Sequence, residues 1–263
     1  MNTFASHDFT FLRKISLVGF CILFVGLPSV SGQVSEDFDS YALGDVGGQG
    51  AWVDFGGTLS ADITDAFAHS GTQSLRVSIN PAVPNPVDVP GYGSDVFLDL
   101  PADITSGQWN LSYWLHVPAD FNGIGFGFFS EGSIDQGDFD YGMELIVDGD
   151  PTSELFVYTD GVQSFGRQLV RDAWVEVNAL IKLDTNTLDV SYGGDSVFSG
   201  AWDPDALIGE APTLRGFNLW AQDGVGGSIY YDDINLAPVV PEPAGVTLVL
   251  IALSGIQYFR RRL

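Results

Sequence analysis

The 263-residue chain is 45% hydrophobic and 17% charged, with 34 acidic against 10 basic side chains and a net charge of −24. A field of that sign repels nucleic acid and anionic lipid. Its one cysteine, Cys21, lies near the N-terminus, so disulfides, thiol catalysis and thiolate metal sites are excluded from the rest of the chain. At the N-terminus Arg13-Lys14 precede the apolar run Ile15–Leu27, Pro28 ends it, and Val30-Ser31-Gly32 sets small residues before Gln33. These are the three regions of a secretory signal peptide over residues 1–32, with cleavage expected between Gly32 and Gln33. The apolar run is too short to span a membrane stably. Bulky Phe20 ahead of Cys21 argues against lipid attachment.

Residues 33–237 form the body, roughly 205 residues, which suits one all-β domain with its own core. Only two acids, Asp8 and Glu242, lie outside it, against five of the basic residues, so the body carries five basic and 32 acidic side chains, a net charge of −27. Helical periodicity is absent, and short alternating or wholly apolar runs recur between Gly, Asp, Asn and Pro. That spacing predicts strands near 34–41, 50–54, 58–63, 73–79, 94–100, 109–117, 123–130, 141–148, 154–159, 173–183, 187–193, 195–199, 214–221 and 228–236, the pattern of a β-sandwich or barrel. Val175, Val177, Ala179 and Ile181 alternate with Trp174, Glu176, Asn178 and Lys182, so one side of that strand is expected buried and the other wet. Trp109–Val117 and Gly123–Ser130 are apolar on both faces and read as central strands. The four prolines of Pro81–Gly93 mark a surface loop.

Glu36-Asp37-Phe38-Asp39-Ser40-Tyr41, Gly50-Ala51-Trp52 and His69-Ser70-Gly71-Thr72-Gln73-Ser74-Leu75-Arg76-Val77 resemble the opening of concanavalin A-like and carbohydrate-binding-module jelly rolls. Trp174-Val175-Glu176-Val177 with Leu188–Gly194 is similar to a laminin G-like hairpin, and Tyr230-Tyr231-Asp232-Asp233-Ile234-Asn235-Leu236 to its closing strand. The resemblance implies a concanavalin A-like jelly-roll β-sandwich. It also implies a structural calcium ion, with Asp39 and Asp232 as side-chain ligands and carbonyls near His69–Gly71 completing an oxygen shell.

Catalytic patterns are sparse. Asp138, Asp140 and Glu144 stand at even spacing, which would set three acids on one face of a strand, as in jelly-roll glycanases. Asp stands first, where the resembling motif begins with Glu, and Gly142 interrupts the run. His69 and His116 lack a Gly-x-Ser-x-Gly elbow, and no cluster has zinc spacing. Gly123-Ile124-Gly125-Phe126-Gly127 lies in an apolar strand with no helix after it, so packing explains it better than phosphate binding. Glycan binding needs exposed aromatic platforms. Trp52, Trp109, Trp114, Trp174 and Trp220 read mainly as core, while Trp202 in Ala201-Trp202-Asp203-Pro204 is the expected exposed ring.

The last 26 residues are an address. Val240-Pro241-Glu242-Pro243, the apolar run Ala244–Phe259 and Arg260-Arg261-Arg262 resemble the PEP-CTERM sorting signal. The run makes a helix of about 24 Å, a little short of a hydrocarbon core of about 30 Å, and the arginines hold that terminus cytoplasmic. Pro241 and Pro243 keep Glu242 in an extended lead-in. The resemblance implies recognition by an exosortase, a membrane processing enzyme, transient anchoring in the inner membrane, and delivery to the surface or extracellular matrix of a Gram-negative-type bacterium. The expected body is a non-catalytic, structural or adhesive sandwich. The alternatives are a module that binds exopolysaccharide and a degenerate jelly-roll glycosidase.

Overall fold

A computed structural model describes residues 33–82, 92–131, 140–159, 164–203 and 212–239. The signal segment, Asp138, the Pro241–Pro243 motif and Arg260–Arg262 lie outside those residues, as does Ala244–Phe259. Among the described residues no helix is long and apolar enough to cross a membrane.

Among the described residues sixteen strands run in chain order: β1 (Val34–Glu36), β2 (Gly44–Asp45), β3 (Trp52–Asp54), β4 (Asp62–Thr64), β5 (Ser74–Ser78), β6 (Asp95–Ile104), β7 (Gln108–His116), β8 (Asn122–Glu131), β9 (Asp140–Asp148), β10 (Leu155–Thr159), β11 (Ser164–Gln168), β12 (Trp174–Lys182), β13 (Thr187–Tyr192), β14 (Asp195–Ala201), β15 (Leu214–Gly226) and β16 (Ser228–Pro238). They form two antiparallel sheets. One has nine strands in the order β14-β13-β12-β7-β16-β5-β4-β2, with β1 also on β16; the other has seven, β11-β10-β9-β8-β15-β6-β3. The result is a jelly-roll-like all-β sandwich, as the strand spacing predicts.

The core lies between the sheets and follows the period of two. Leu111, Tyr113 and Leu115 of β7 and Val175, Val177, Ala179 and Ile181 of β12 meet Leu98 of β6, Leu145 of β9 and Phe217 and Leu219 of β15. At about 25 cal/mol per Å² of apolar surface, burial of this inter-sheet layer is the dominant stabilising term. The glycines of β8 have a packing role. A Cβ on Gly125 would come within 2.3 Å of Ile229 Cδ1, and one on Gly127 within 3.2 Å of the Phe217 ring, so the small residues let β8 approach the core closely.

The structure corrects several boundaries. The strand expected at 34–41 stops at Glu36, because Phe38 takes a left-handed φ of 60° that no strand tolerates. β2 and β11 were not expected. β11 reads Ser-Phe-Gly-Arg-Gln and is largely exposed, so as an edge strand it lacks the apolar alternation that marks a strand in sequence.

Candidate functional site

The outward positions of the seven-stranded sheet hold side chains that the core does not use. On β6 these are Asp95, Phe97 and Asp99, on β15 Asn218, Trp220 and Gln222, on β8 Ile124, Phe126 and Phe128, and on β9 Glu144, Ile146 and Asp148, since their neighbours in sequence face the core. The registers set them in rows. Asp95, Trp220, Phe126 and Ile146 lie side by side across four strands, and Phe97, Asn218, Phe128 and Glu144 form the next row. Phe126 and Phe128 stack at 5.5 Å between centroids, and Trp220 packs on both at 4.8 and 4.5 Å. Phe97, Phe126 and Phe128 are shielded from water although they lie outside the inter-sheet core. Gly216, outward on β15, leaves room for Phe97, whose ring would sit 2.1 Å from a Cβ there.

Polar groups are set into this aromatic face. Asp95 is 4% exposed. Tyr92 Oη donates to its Oδ2 and Asn218 Nδ2 to its Oδ1, each at 2.8 Å. Burial pushes the Asp95 carboxyl up to about 6 against the lowering pull of those two hydrogen bonds, because desolvation penalises the charged form more than neutral donors stabilise it. Burial also raises the Glu144 carboxyl. Beside Asp95 a cleft of about 230 Å³ is lined by Asp54, Gly56, Gly57, Thr58, Leu59 and Ser60.

Two buried polar atoms on this face lack partners. Asn218 Oδ1, an acceptor, and Trp220 Nε1, a donor, make no hydrogen bond, and Asn218 is wholly buried. They stand at successive outward positions of β15, about 7 Å apart along the strand. An unmet buried donor or acceptor costs about 1–3 kcal/mol, and these two are opposite in sense, one accepting and one donating.

On the nine-stranded sheet the segment 65–73 lies over the outward face. His69 stacks on Trp114 at 3.7 Å, and Phe67 on His116 at 4.5 Å. Asp232 Oδ2 accepts the His69 and Ser70 amides at 2.7 and 3.2 Å, and its Oδ1 accepts the Asp233 amide at 2.7 Å. Asp39 Oδ1 accepts the Thr72 and Gln73 amides at 2.7 and 3.1 Å. Asp39 and Asp232 are thus brought to the same segment, as the resemblance implies. The groups they face are N–H donors, however, whereas calcium takes carboxylate and carbonyl oxygens. The donor set fits an amide cradle better than an ion shell. Among the described residues no group of three or more His, Cys, Asp or Glu side chains could hold a metal.

Other expected positions fall differently. Trp202 is fully buried, donates from Nε1 to the Thr213 carbonyl at 3.3 Å and packs edge-on against Phe129. It is not an exposed platform, because Asn186 grips both polar groups of the Asp203 backbone and folds the segment into the end of the sandwich. Asp138 lies outside the described residues, and between Asp140 and Glu144 the strand carries a register shift: Phe129 pairs with Met143 but Ser130 with Tyr141, leaving Gly142 as an extra residue. Gly32 lies outside the described residues, and Gln33 is exposed at their start. The residues missed in sequence are Asp95, Tyr92, Asn218 and Trp220. A carboxylate inside the apolar run Ser94–Leu100 was the available signal for the first.

No family model matches the chain, and no curated protein sequence matches it. Among solved structures, a sialidase shares the fold with a TM-score of 0.56 at 13% identity, over 79% of this chain and 18% of its own, so this chain spans about a fifth of that protein. An alginate lyase (TM-score 0.49, 15% identity, 81% of this chain and 100% of that one) and a Bacillus licheniformis β-glucanase (0.49, 16%, 79% and 98%) are also similar. These comparisons correct one expectation. The sequence predicts a non-catalytic body, whereas the sialidase that shares its fold carries the name of an enzyme, and the fold gives the non-catalytic reading no support.

Proposed function

We propose that this chain is an exported, exosortase-processed surface or extracellular-matrix protein whose sandwich engages a glycan on the outward face of its seven-stranded sheet. The observation that carries the glycan role is the unpartnered pair Asn218 Oδ1 and Trp220 Nε1 within a field of stacked rings. Sugar rings present an apolar face that packs on aromatics and hydroxyls that donate and accept at once, the complement of this surface. The carbohydrate-active names of the structures that share the fold agree with that class of ligand. Affinity electrophoresis in gels cast with polysaccharides tests it: the protein should be retarded and Trp220→Ala released. Equal mobility in every gel would remove the glycan role.

The export address is supported by sequence, through Pro241-Glu242-Pro243, the apolar run and Arg260–Arg262. Mass spectrometry of the C-terminus by cell fraction tests it. Surface material should lack Arg260–Arg262, and replacing Pro241, Glu242 and Pro243 with alanine should retain the chain at the membrane.

A second, catalytic reading is favoured by Asp95 alone, a carboxyl titrating at about 6 beside a cleft, which suits general acid–base work near neutrality. Glu144 is not its partner. Three strand steps of about 4.8 Å separate them, about 14 Å, beyond the spacing of either two-carboxylate glycosidase geometry. Asp54, which lines the same cleft, is the candidate second group. Release of reducing ends from a bound glycan, abolished by Asp95→Asn, would establish this reading, and no release from any retained polysaccharide would end it.

A further inference from the structure

We infer that the glycan taken on this face carries protonated amines: the outward face of the seven-stranded sheet sets its part-exposed ring, Trp220, against a carboxylate and meets no basic side chain free to balance it, the complement of an amino-sugar polymer. The inference rests on the glycan-binding role proposed above.

The register shows the pairing: Trp220 on β15 has Asp95 directly opposite on β6. Glu144 on β9 adds a second carboxylate in the next row of the same face. Side chains directly opposite in an antiparallel pair are close enough to touch one ligand group together. A sugar ring stacked on Trp220 therefore sets its equatorial substituents against a carboxylate. The hydrogen bonds on Asp95 come from neutral groups, Tyr92 Oη and Asn218 Nδ2, and a carboxylate has lone pairs to spare for a further donor.

The basic side chains of the body are all engaged elsewhere. Arg76 pairs with Asp62 and Lys182 with Asp189, both on the nine-stranded sheet. Arg171 holds Glu154 and the carbonyls of Pro118, Phe121 and Gly149. Arg215 is taken by Asp99 and Asp103. Arg167 stands opposite core-facing Phe156 and donates to the Gly166 and Ser196 carbonyls. These five are the whole basic complement of residues 33–237. A polyuronate would add carboxylates to a face whose one nearby guanidinium, Arg215, is already held by Asp99 and Asp103, and a neutral chain would dehydrate Asp95 and Glu144 further without a countercharge. An ammonium group meets both demands by forming charge-assisted hydrogen bonds.

The test compares glucosamine oligomers, N-acetylglucosamine oligomers of equal length and oligouronates by titration calorimetry on the purified protein. The glucosamine oligomer should bind at least tenfold more tightly than its N-acetylated counterpart, oligouronate should not bind, and added salt should shrink the ratio. Asp95→Asn and Glu144→Gln should each lower that ratio. Glu176→Gln, which removes an exposed charge from the other sheet, should leave it unchanged. A ratio that falls equally with Glu176→Gln would reduce the effect to the overall charge and overturn the inference. Equal binding of amine and N-acetyl forms, or binding of oligouronate, would overturn the amine while leaving a glycan face. No binding of any of the three, together with no retardation in polysaccharide gels, would remove the glycan face itself.

Discussion

The two sheets turn similar outward chemistry to opposite ends. Each carries tryptophan, other rings and aspartate on the side away from the core, yet on the nine-stranded sheet the chain itself covers the rings and takes up the aspartates, leaving His116 Nδ1 unpaired beneath that cover. There the 65–73 segment supplies His69 and Phe67 to stack on Trp114 and His116, and Asp232 and Asp39 take backbone amides. On the seven-stranded sheet Trp220 Nε1 and Asn218 Oδ1 stay unmet, and the Asp95 carboxyl is raised by burial with no cation beside it. Aromatics on a sheet face therefore do not mark a site by themselves. What distinguishes the seven-stranded face is a buried acceptor and a buried donor, Asn218 Oδ1 and Trp220 Nε1, left unmet side by side among its rings.

The sharpest way to break this contrast is to undo the self-satisfied side. Asp232 is fully buried and holds three amides, so Asp232→Ala should cost about 3 kcal/mol in urea unfolding, with glycan retention unchanged at temperatures where the fold persists. A loss of retention at full folding would mean the two faces are coupled.

Next comes acidity. In the folded chain Asp95 titrates at about 6, above the value of about 3.9 for an unfolded aspartate, so the native state holds the extra proton between those limits. Its contribution is therefore most favourable below about pH 4 and is lost as pH rises through 6. Unfolding free energy should fall from pH 4.5 to 7.5, and the part of that fall absent from Asp95→Asn should be on the order of 2 kcal/mol. An identical slope in the variant would contradict the buried, unpaired carboxylate.

Trp220→Ala should lower glycan affinity about tenfold or more, as removal of a stacking platform does, with smaller loss for Asn218→Ala. If Trp114→Ala on the other sheet lowered affinity as much, the two faces would have been assigned the wrong way round. The smallest effects are expected at the surface. Lys182→Ala removes a half-exposed pair with Asp189 and should shift stability by less than about 1 kcal/mol. A chelator should leave the melting midpoint unchanged, since Asp39 and Asp232 are occupied by amides; a lower midpoint would restore the cation.

Much of the scaffold was legible and little of the site. Period-two alternation marked Ala173–Leu183 and the other long strands, because one buried face fixes the pattern. The short edge strand Ser164–Gln168 was not legible, having no buried face to imprint one. Trp220 was read mainly as core, because a large ring in a strand is most economically buried between the sheets and alternation says that neighbours face opposite ways without saying which way is out. Trp202 failed in the opposite sense: its loop-like neighbours suggested exposure, and Asn186, sixteen residues away in sequence, folds it inward.

By itself the sequence determined the all-β class, the strand spacing, the central position of the two strands that are apolar on both faces, and a body with 32 acids and five basic residues. These follow from composition and local period, which each segment carries alone. Only the tertiary structure decided that Asp95 meets Asn218 across 123 residues, that Trp220 stands outside the core, and that one aspartate-rich face is closed by its own amides while the other is not. Such contacts are set by which strands become neighbours, and that pairing is a property of the whole sandwich.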